Sequence, residues 1–312
     1  MKQTRVLAEG ALSTAIFLCI FLITTYIPFV SIITMWFLPL PIIYFTAKNS
    51  LKPGILVLIV SLLLSLLLTG ILPPVMALYF LLSGLVMGYL LHLKKSALVI
   101  LLGGSLANIF VIILLYGVVV TFFHIDPMEM IKQMMTKSFD TAQKLSGSFQ
   151  QDAKKEMDIL RQSMNMMTYM VPAVMVITGV FNALITELVS TPILRRLRVD
   201  FPKWPPFREW RFPRSLIWYF LAALIIELFG HLEPNQWLFT VVVNVYAILE
   251  LVVMIQGFAF IFYLCYAKNI HTSVPIIVVI ISLLTGPILL YIIRVLGIID
   301  LGFDLRARLK KK

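Results

Sequence analysis

The chain reads as long apolar runs separated by short polar or basic breaks. Nine runs stand out: Leu7–Ile27, Ser31–Thr46, Pro53–Leu68, Pro74–Leu91, Ala97–Phe123, Met167–Ser190, Ser215–Gly230, Trp237–Tyr266 and Ser273–Ile299. Most approach the ~20 residues that carry a helix across the hydrocarbon core of a bilayer. A lone spanning segment must satisfy its own backbone hydrogen bonds, so each run predicts a helix. The second is short and holds Pro39 and Pro41, which predicts a tilted, broken or partly inserted span. The pattern defines an all-α, polytopic transmembrane protein.

The stretch 124–166, after the fifth run, differs in kind. His124–Asn165 holds six acidic and six basic residues and is neutral. Met128, Ile131, Met135 and Phe139 recur at helical spacing, and so do Phe149, Ala153, Met157, Leu160 and Met164. Leu145-Ser146-Gly147-Ser148 between them reads as a turn. Two amphipathic helices outside the membrane are predicted, either a hairpin or lid over the outer face or an extension of the spans. The organisation is then a six-helix block over 1–192, a basic aromatic linker over 193–214, and two to three further membrane helices with a basic tail over 215–312.

Composition supports the pattern: 60% of residues are apolar, 13% are charged, and mean hydropathy is +0.97. The net charge of +11 does not call for nucleic acid, because the basic residues lie between runs. Lys2 and Arg5, Lys48 and Lys52, Lys94 and Lys95, then Arg195, Arg196 and Arg198 alternate as cytoplasmic loops should if the N-terminus is cytoplasmic. Parity fails at the end. Three more spans would put Arg306, Arg308, Lys310, Lys311 and Lys312 outside. A seventh run that does not span, or a break at Gly286-Pro287, would account for this, and the favoured reading is eight spans with a cytoplasmic tail. Cys19 and Cys265 lie inside runs and read as small apolar residues, not a disulfide.

Ionisable residues at membrane depth mark function or a pair. Glu187 sits near the inner end of the sixth run, Glu227 near the outer end of the seventh, Glu250 mid-way along the eighth and Arg294 late in the ninth. By depth, Glu227 and Arg294 should pair. Glu250 is left without a partner, as an internally bonded residue, a protonated one, or a group facing a wet cavity or a cation. The amides of Asn108, Asn182, Asn244 and Gln256 are expected to bond across helices. Trp36, Tyr79 and Tyr116 belong to the outer half. They anchor the interface, or with Asn108 and Asn182 wall a site for a flat organic ligand. His92, His124, His231 and His271 sit at run ends without metal spacing. No HExxH, GxSxG or P-loop occurs. No cofactor, metal site or enzymatic activity is expected, and energy for any transport would come from a gradient or a partner.

The linker Leu194–Arg214 carries seven basic residues against Asp200 and Glu209, interleaved with aromatics and four prolines. It suits anionic lipid at the inner leaflet, or a docking site through Phe207, Arg208, Trp210 and Arg211. Within it, Pro205-Pro206-Phe207-Arg208-Glu209-Trp210-Arg211-Phe212-Pro213 resembles the signature of the YybS-like family of bacterial membrane proteins. Pro172, Gln256-Gly257, and Leu296-Gly297-Ile298-Ile299-Asp300 followed by Asp304 and Arg306 agree with that resemblance. It implies a multi-pass protein of a bacterial plasma membrane and names no substrate.

The first helix carries small residues at helical spacing: Ala8, Ala11 and Ala15, beside Glu9 and Gly10. Small residues let helices approach closely. The first six runs, with Ala11-Leu12-Ser13-Thr14-Ala15, also resemble the substrate-binding S component of energy-coupling-factor transporters. That resemblance implies a transmembrane coupling subunit with ATPases packed on the alanine face, and a small organic, vitamin-like ligand bound in the outer half. Close packing against another helix of the same chain would explain the alanines equally. S components lack the three later runs and the long outer stretch. The alternative function is a non-transporting scaffold or regulator that recruits its partner through the linker.

Overall fold

The computed structural model describes residues 2–146, 166–230, 232–234, 236–303 and 305–306. Among the described residues every regular element is helical. The second half of the predicted outer stretch lies outside the described residues. The helices are α1 (Lys2–Tyr26), α2 (Pro28–Thr34), α3 (Leu40–Asn49), α4 (Leu51–Thr69), α5 (Pro73–His92), α6 (Ala97–Phe123), α7 (Pro127–Ser146), α8 (Val171–Arg196), α9 (Ser215–Phe229), α10 (Trp237–Ala267), α11 (Ser273–Thr285) and α12 (Pro287–Phe303). Among the described residues, seven segments are long and apolar enough to cross a membrane: α1, the combined stretch Pro28–Asn49, α4, α5, α6, α8 and α10. The second run is broken as expected. A single 3₁₀ turn at Met35–Phe37 separates α2 from α3, and Pro39 and Pro41 begin the latter. α7 is the first of the predicted amphipathic helices.

The chain divides into two compact units, Met1–Met157 with Val174–Trp204, and Asp158–Ala173 with Pro205–Lys312. In the first, glycines bring α5 onto α3. A Cβ on Gly84 would stand 2.8 Å from the Pro39 carbonyl oxygen, and one on Gly88 would stand 2.7 Å from that of Ile43. Two apolar clusters fill the unit. One joins Phe17, Phe21, Leu38, Ile42, Leu81 and Leu85. The other joins Ile43, Met87, Leu91, Ile100, Leu194 and Phe201. At one end Glu9 accepts from Lys48 Nζ at 2.8 Å, Arg5 Nε at 3.1 Å and Asn49 Nδ2 at 3.3 Å. The start of α1 and the end of α3 therefore lie at the same end, as alternating spans require.

The second unit departs from the expected run count. Gly286 has φ +79, a backbone conformation suited to glycine, and Pro287 opens a new helix where its missing N–H costs nothing. The ninth run is therefore two helices, and among the described residues four helices follow the linker in this unit: α9, α10, α11 and α12. Contacts between α10 and α12 rise together along the chain: Tyr246 and Glu250 with Arg294, Gln256 with Asp300, Tyr263 with Arg306. The two helices run parallel. α11 must therefore return across the layer between them, and the start of the tail comes to the linker end of α10.

Within the second unit, this pairing puts the start of the basic tail at the same end as the linker side of α10, as the charge rule expects of cytoplasmic segments. An affinity tag after Lys312 and a fluorophore on Lys203→Cys should be accessible on the same face of sealed vesicles. Accessibility on opposite faces would contradict the parallel return of α12.

Candidate functional site

The alanine face is open. α1 packs through Gly10, Ser13, Thr14, Phe17 and Phe21, which are buried, while Ala8, Ala11 and Ala15 are exposed. Beside them α1 and α4 border an apolar groove of about 730 Å³, with Gly10, Ala11, Thr14 and Ala15 on one wall and Val57 and Val60 on the other. Ala8 is outside the lining. The Ser61 hydroxyl lies 3.3 Å from that of Thr14 and ties the two helices together beneath the groove. Sequence reasoning found one wall and missed the α4 wall. The signal for it was Gly54, Ser61 and Ser65, small residues buried along α4.

The expected ligand-binding residues do not line this groove. Asn108 is buried in α6 and donates to the Gly179 carbonyl of α8 at 3.1 Å, while its Oδ1 has no partner among the described residues. The Tyr79 hydroxyl is likewise buried without one. Trp36 and Tyr116 are half-buried. Asn182 corrects the expectation of a cross-helix bond: it sits on a half-exposed face and donates to Thr178 of its own helix at 2.9 Å. Asn244 behaves as expected. Its Nδ2 donates to the Tyr169 carbonyl and its Oδ1 accepts from the Ala173 N–H, both at 2.6 Å.

The intramembrane charges pair differently from the depth argument. Arg294 donates to Glu250 and, at 3.0 Å, to the Tyr246 hydroxyl, with its guanidinium over the Tyr291 ring. Glu227 is exposed on α9, within electrostatic range of both. The expectation treated the ninth run as a single span. Because the run breaks and α12 comes back parallel to α10, Arg294 falls beside Glu250 instead.

The linker is folded into the chain's own structure. Phe207 meets Trp210 and Phe262 edge-on, each at 5.2 Å. Arg208 stacks 3.8 Å over the Tyr266 ring, Trp210 donates to the Pro205 carbonyl at 3.1 Å, and Arg211 is exposed. The Phe212 N–H donates to Gln256 Oε1 at 3.1 Å, and the Gln256 amide nitrogen donates to Asp300. Arg306 binds Asp300 at 2.8 Å and the Arg208 carbonyl at 2.7 Å. The side chains of this ion pair are 5% and 0% exposed. Residues far apart in sequence thus form one buried network: the linker motif, Gln256, Asp300 and Arg306. Asp304 lies outside the described residues.

Earlier in the linker, Phe201 is buried and the Trp204 indole donates to Glu187 Oε1 at 2.8 Å. Sequence reading placed Glu187 at membrane depth but gave no sign of this partner. The two are 17 residues apart, too far for any helical spacing rule. Among the described residues no group of three or more His, Cys, Asp or Glu side chains could hold a metal ion.

The fold and its buried polar networks define an integral, multi-pass α-helical membrane protein. Residues 15–301 match the family described as "Predicted membrane protein (DUF2232)", and the chain belongs to that family. It is 31% identical to the "Uncharacterized protein YybS" of Bacillus subtilis (strain 168), over 99% of this chain and 100% of that protein. No solved structure matches.

Removing one partner of a buried ion pair costs about 3–5 kcal/mol, because it strands the other charge. Arg306→Met should destabilise the detergent-solubilised protein by about that much, read as a lower melting temperature. The Asp300→Leu, Arg306→Met double variant should recover much of the loss. Equal stability of wild type and Arg306→Met would contradict the network's role.

Proposed function

We propose that this membrane protein is a solute-binding component of a small-molecule transport system, and that its α1–α4 groove receives a transmembrane helix of a coupling subunit. The observation that supports this reading is the open groove beside Ala11 and Ala15. Its walls are membrane-length helices, its lining is almost wholly apolar, and alanine and glycine leave room for a helix backbone at close range. A helix bound there would replace lipid with close van der Waals contact. The chain carries no nucleotide-binding motif of its own, so coupling ATPases would act through that subunit.

The ligand is a small, vitamin-like organic molecule in the outer half of the first unit. Support comes from the Tyr79 hydroxyl and Asn108 Oδ1, two buried polar atoms without partners among the described residues. Buried polar groups in native proteins are nearly always hydrogen-bonded, so orphaned ones suit a missing ligand or water. The alternative of recruitment through the linker loses ground, since Phe207, Arg208 and Trp210 are engaged by α10 and by one another.

The test is purification of the full-length protein in mild detergent beside an Ala11→Leu, Ala15→Leu variant. A membrane subunit and ATPases should accompany the wild type and fall at least ~10-fold in the variant, a loss of ~1.4 kcal/mol or more. Association that ignores the two leucines would contradict the reading.

A further inference from the structure

The first unit holds a buried carboxyl group that the proposed function does not use. Glu187 lies in α8, two turns before Leu194, and is 0% exposed. Its Oε1 accepts the Trp204 indole N–H at 2.8 Å, and its Oε2 has no partner among the described residues. Ser190, three residues on and therefore on the same helix face, is also fully buried, and its hydroxyl has no partner among the described residues.

The charged groups on the neighbouring elements are bound elsewhere or exposed. On α3, Lys48 binds Glu9. On α5, His92 Nδ1 is 2.9 Å from the Ala47 carbonyl oxygen. α6 carries no Asp, Glu, Lys, Arg or His. Arg195 of α8 itself donates to the Phe201 carbonyl at 3.1 Å, which fixes the loop that carries Trp204. Asp200 and Lys203 in that loop are exposed. Among the described residues none of these groups forms an ion pair with Glu187.

We propose that Glu187 is a proton-binding site, with the Trp204 indole capping its other oxygen. An ionised carboxylate with one N–H donor at membrane depth is strongly unfavourable. A proton on Oε2 removes the charge and turns that oxygen into a donor, and the Ser190 hydroxyl on the same face is an acceptor of the right kind. Calcium and magnesium fit poorly, since they take six or more oxygen ligands. The indole bond to Oε1 suits either protonation state, so Trp204 caps the carboxyl without holding it charged. The cap also lies in the loop that follows α8, whose Phe201 is locked into the core cluster with Ile43, Met87 and Leu194. The indole donor on Oε1 is thus held in place by a loop anchored in that cluster. This inference is independent of the groove and of any partner.

The experiment is infrared difference spectroscopy of the full-length protein in lipid nanodiscs, comparing wild type, Glu187→Gln and Trp204→Phe at neutral pH. The wild type should show a protonated-carboxyl C=O band that Glu187→Gln lacks, and loss of the indole bond in Trp204→Phe should move that band to higher frequency. Identical carboxylic-acid regions in wild type and Glu187→Gln would show an ionised Glu187 and overturn the proposal. A band abolished by sodium at constant pH would make this a metal-cation site and also overturn it. If Glu187→Gln does not fold, Trp204→Phe carries the test alone, and an unshifted acid band overturns the proposal.

Discussion

The C-terminal unit depends on a backbone-to-backbone crossing of α10 and α12. A Cβ on Gly257 would stand 2.1 Å from the Ile293 carbonyl oxygen, and one on Gly297 would stand 2.0 Å from that of Val253. Neither position accepts a side chain without moving a helix. With the two helices this close, Gln256 reaches Asp300, Arg294 reaches Glu250, and Tyr263 reaches the Arg306 carbonyl. Each is a polar group that would be costly if stranded in an apolar layer. The crossing is parallel only because Gly286 and Pro287 end one helix and start the next.

The linker motif follows from the same crossing. Arg306 at the end of α12 meets both Asp300 and the Arg208 carbonyl, and Gln256 meets the Phe212 N–H. The aromatic residues around Arg208 pack against Phe262 and Tyr266. A stretch that reads as a docking site in one dimension is in three dimensions the cap of its own helical unit. The first unit is built by similar close contacts, at Gly84 and Gly88 against α3, yet it leaves the α1–α4 face open.

Apolar runs fixed the helices because a bilayer leaves little other choice. The fold class, the broken second span and the first amphipathic helix were all legible in this way. Span count was not, because a 13-residue helix such as α11 and the 17-residue α12 merge into one run until the positive φ at Gly286 is known. The Arg294–Glu250 pair was lost for the same reason, since depth reasoning needs helix direction. The Trp204–Glu187 bond could not be read at all, because it joins a loop to a helix without periodicity. The residues of the Asp300–Arg306 network were visible only as motif fragments. Their convergence is a property of the parallel crossing.

The most direct test of this architecture is cysteine cross-linking between α10 and α12, in protein with Cys19 and Cys265 replaced by serine. Tyr246→Cys with Arg294→Cys, and Tyr263→Cys with Arg306→Cys, should each cross-link. The swapped pairs, Tyr246→Cys with Arg306→Cys and Tyr263→Cys with Arg294→Cys, should not. Cross-linking of the swapped pairs in place of the matched ones would mean an antiparallel α12. The tail, the linker cap and the buried ion pairs would then all be misplaced.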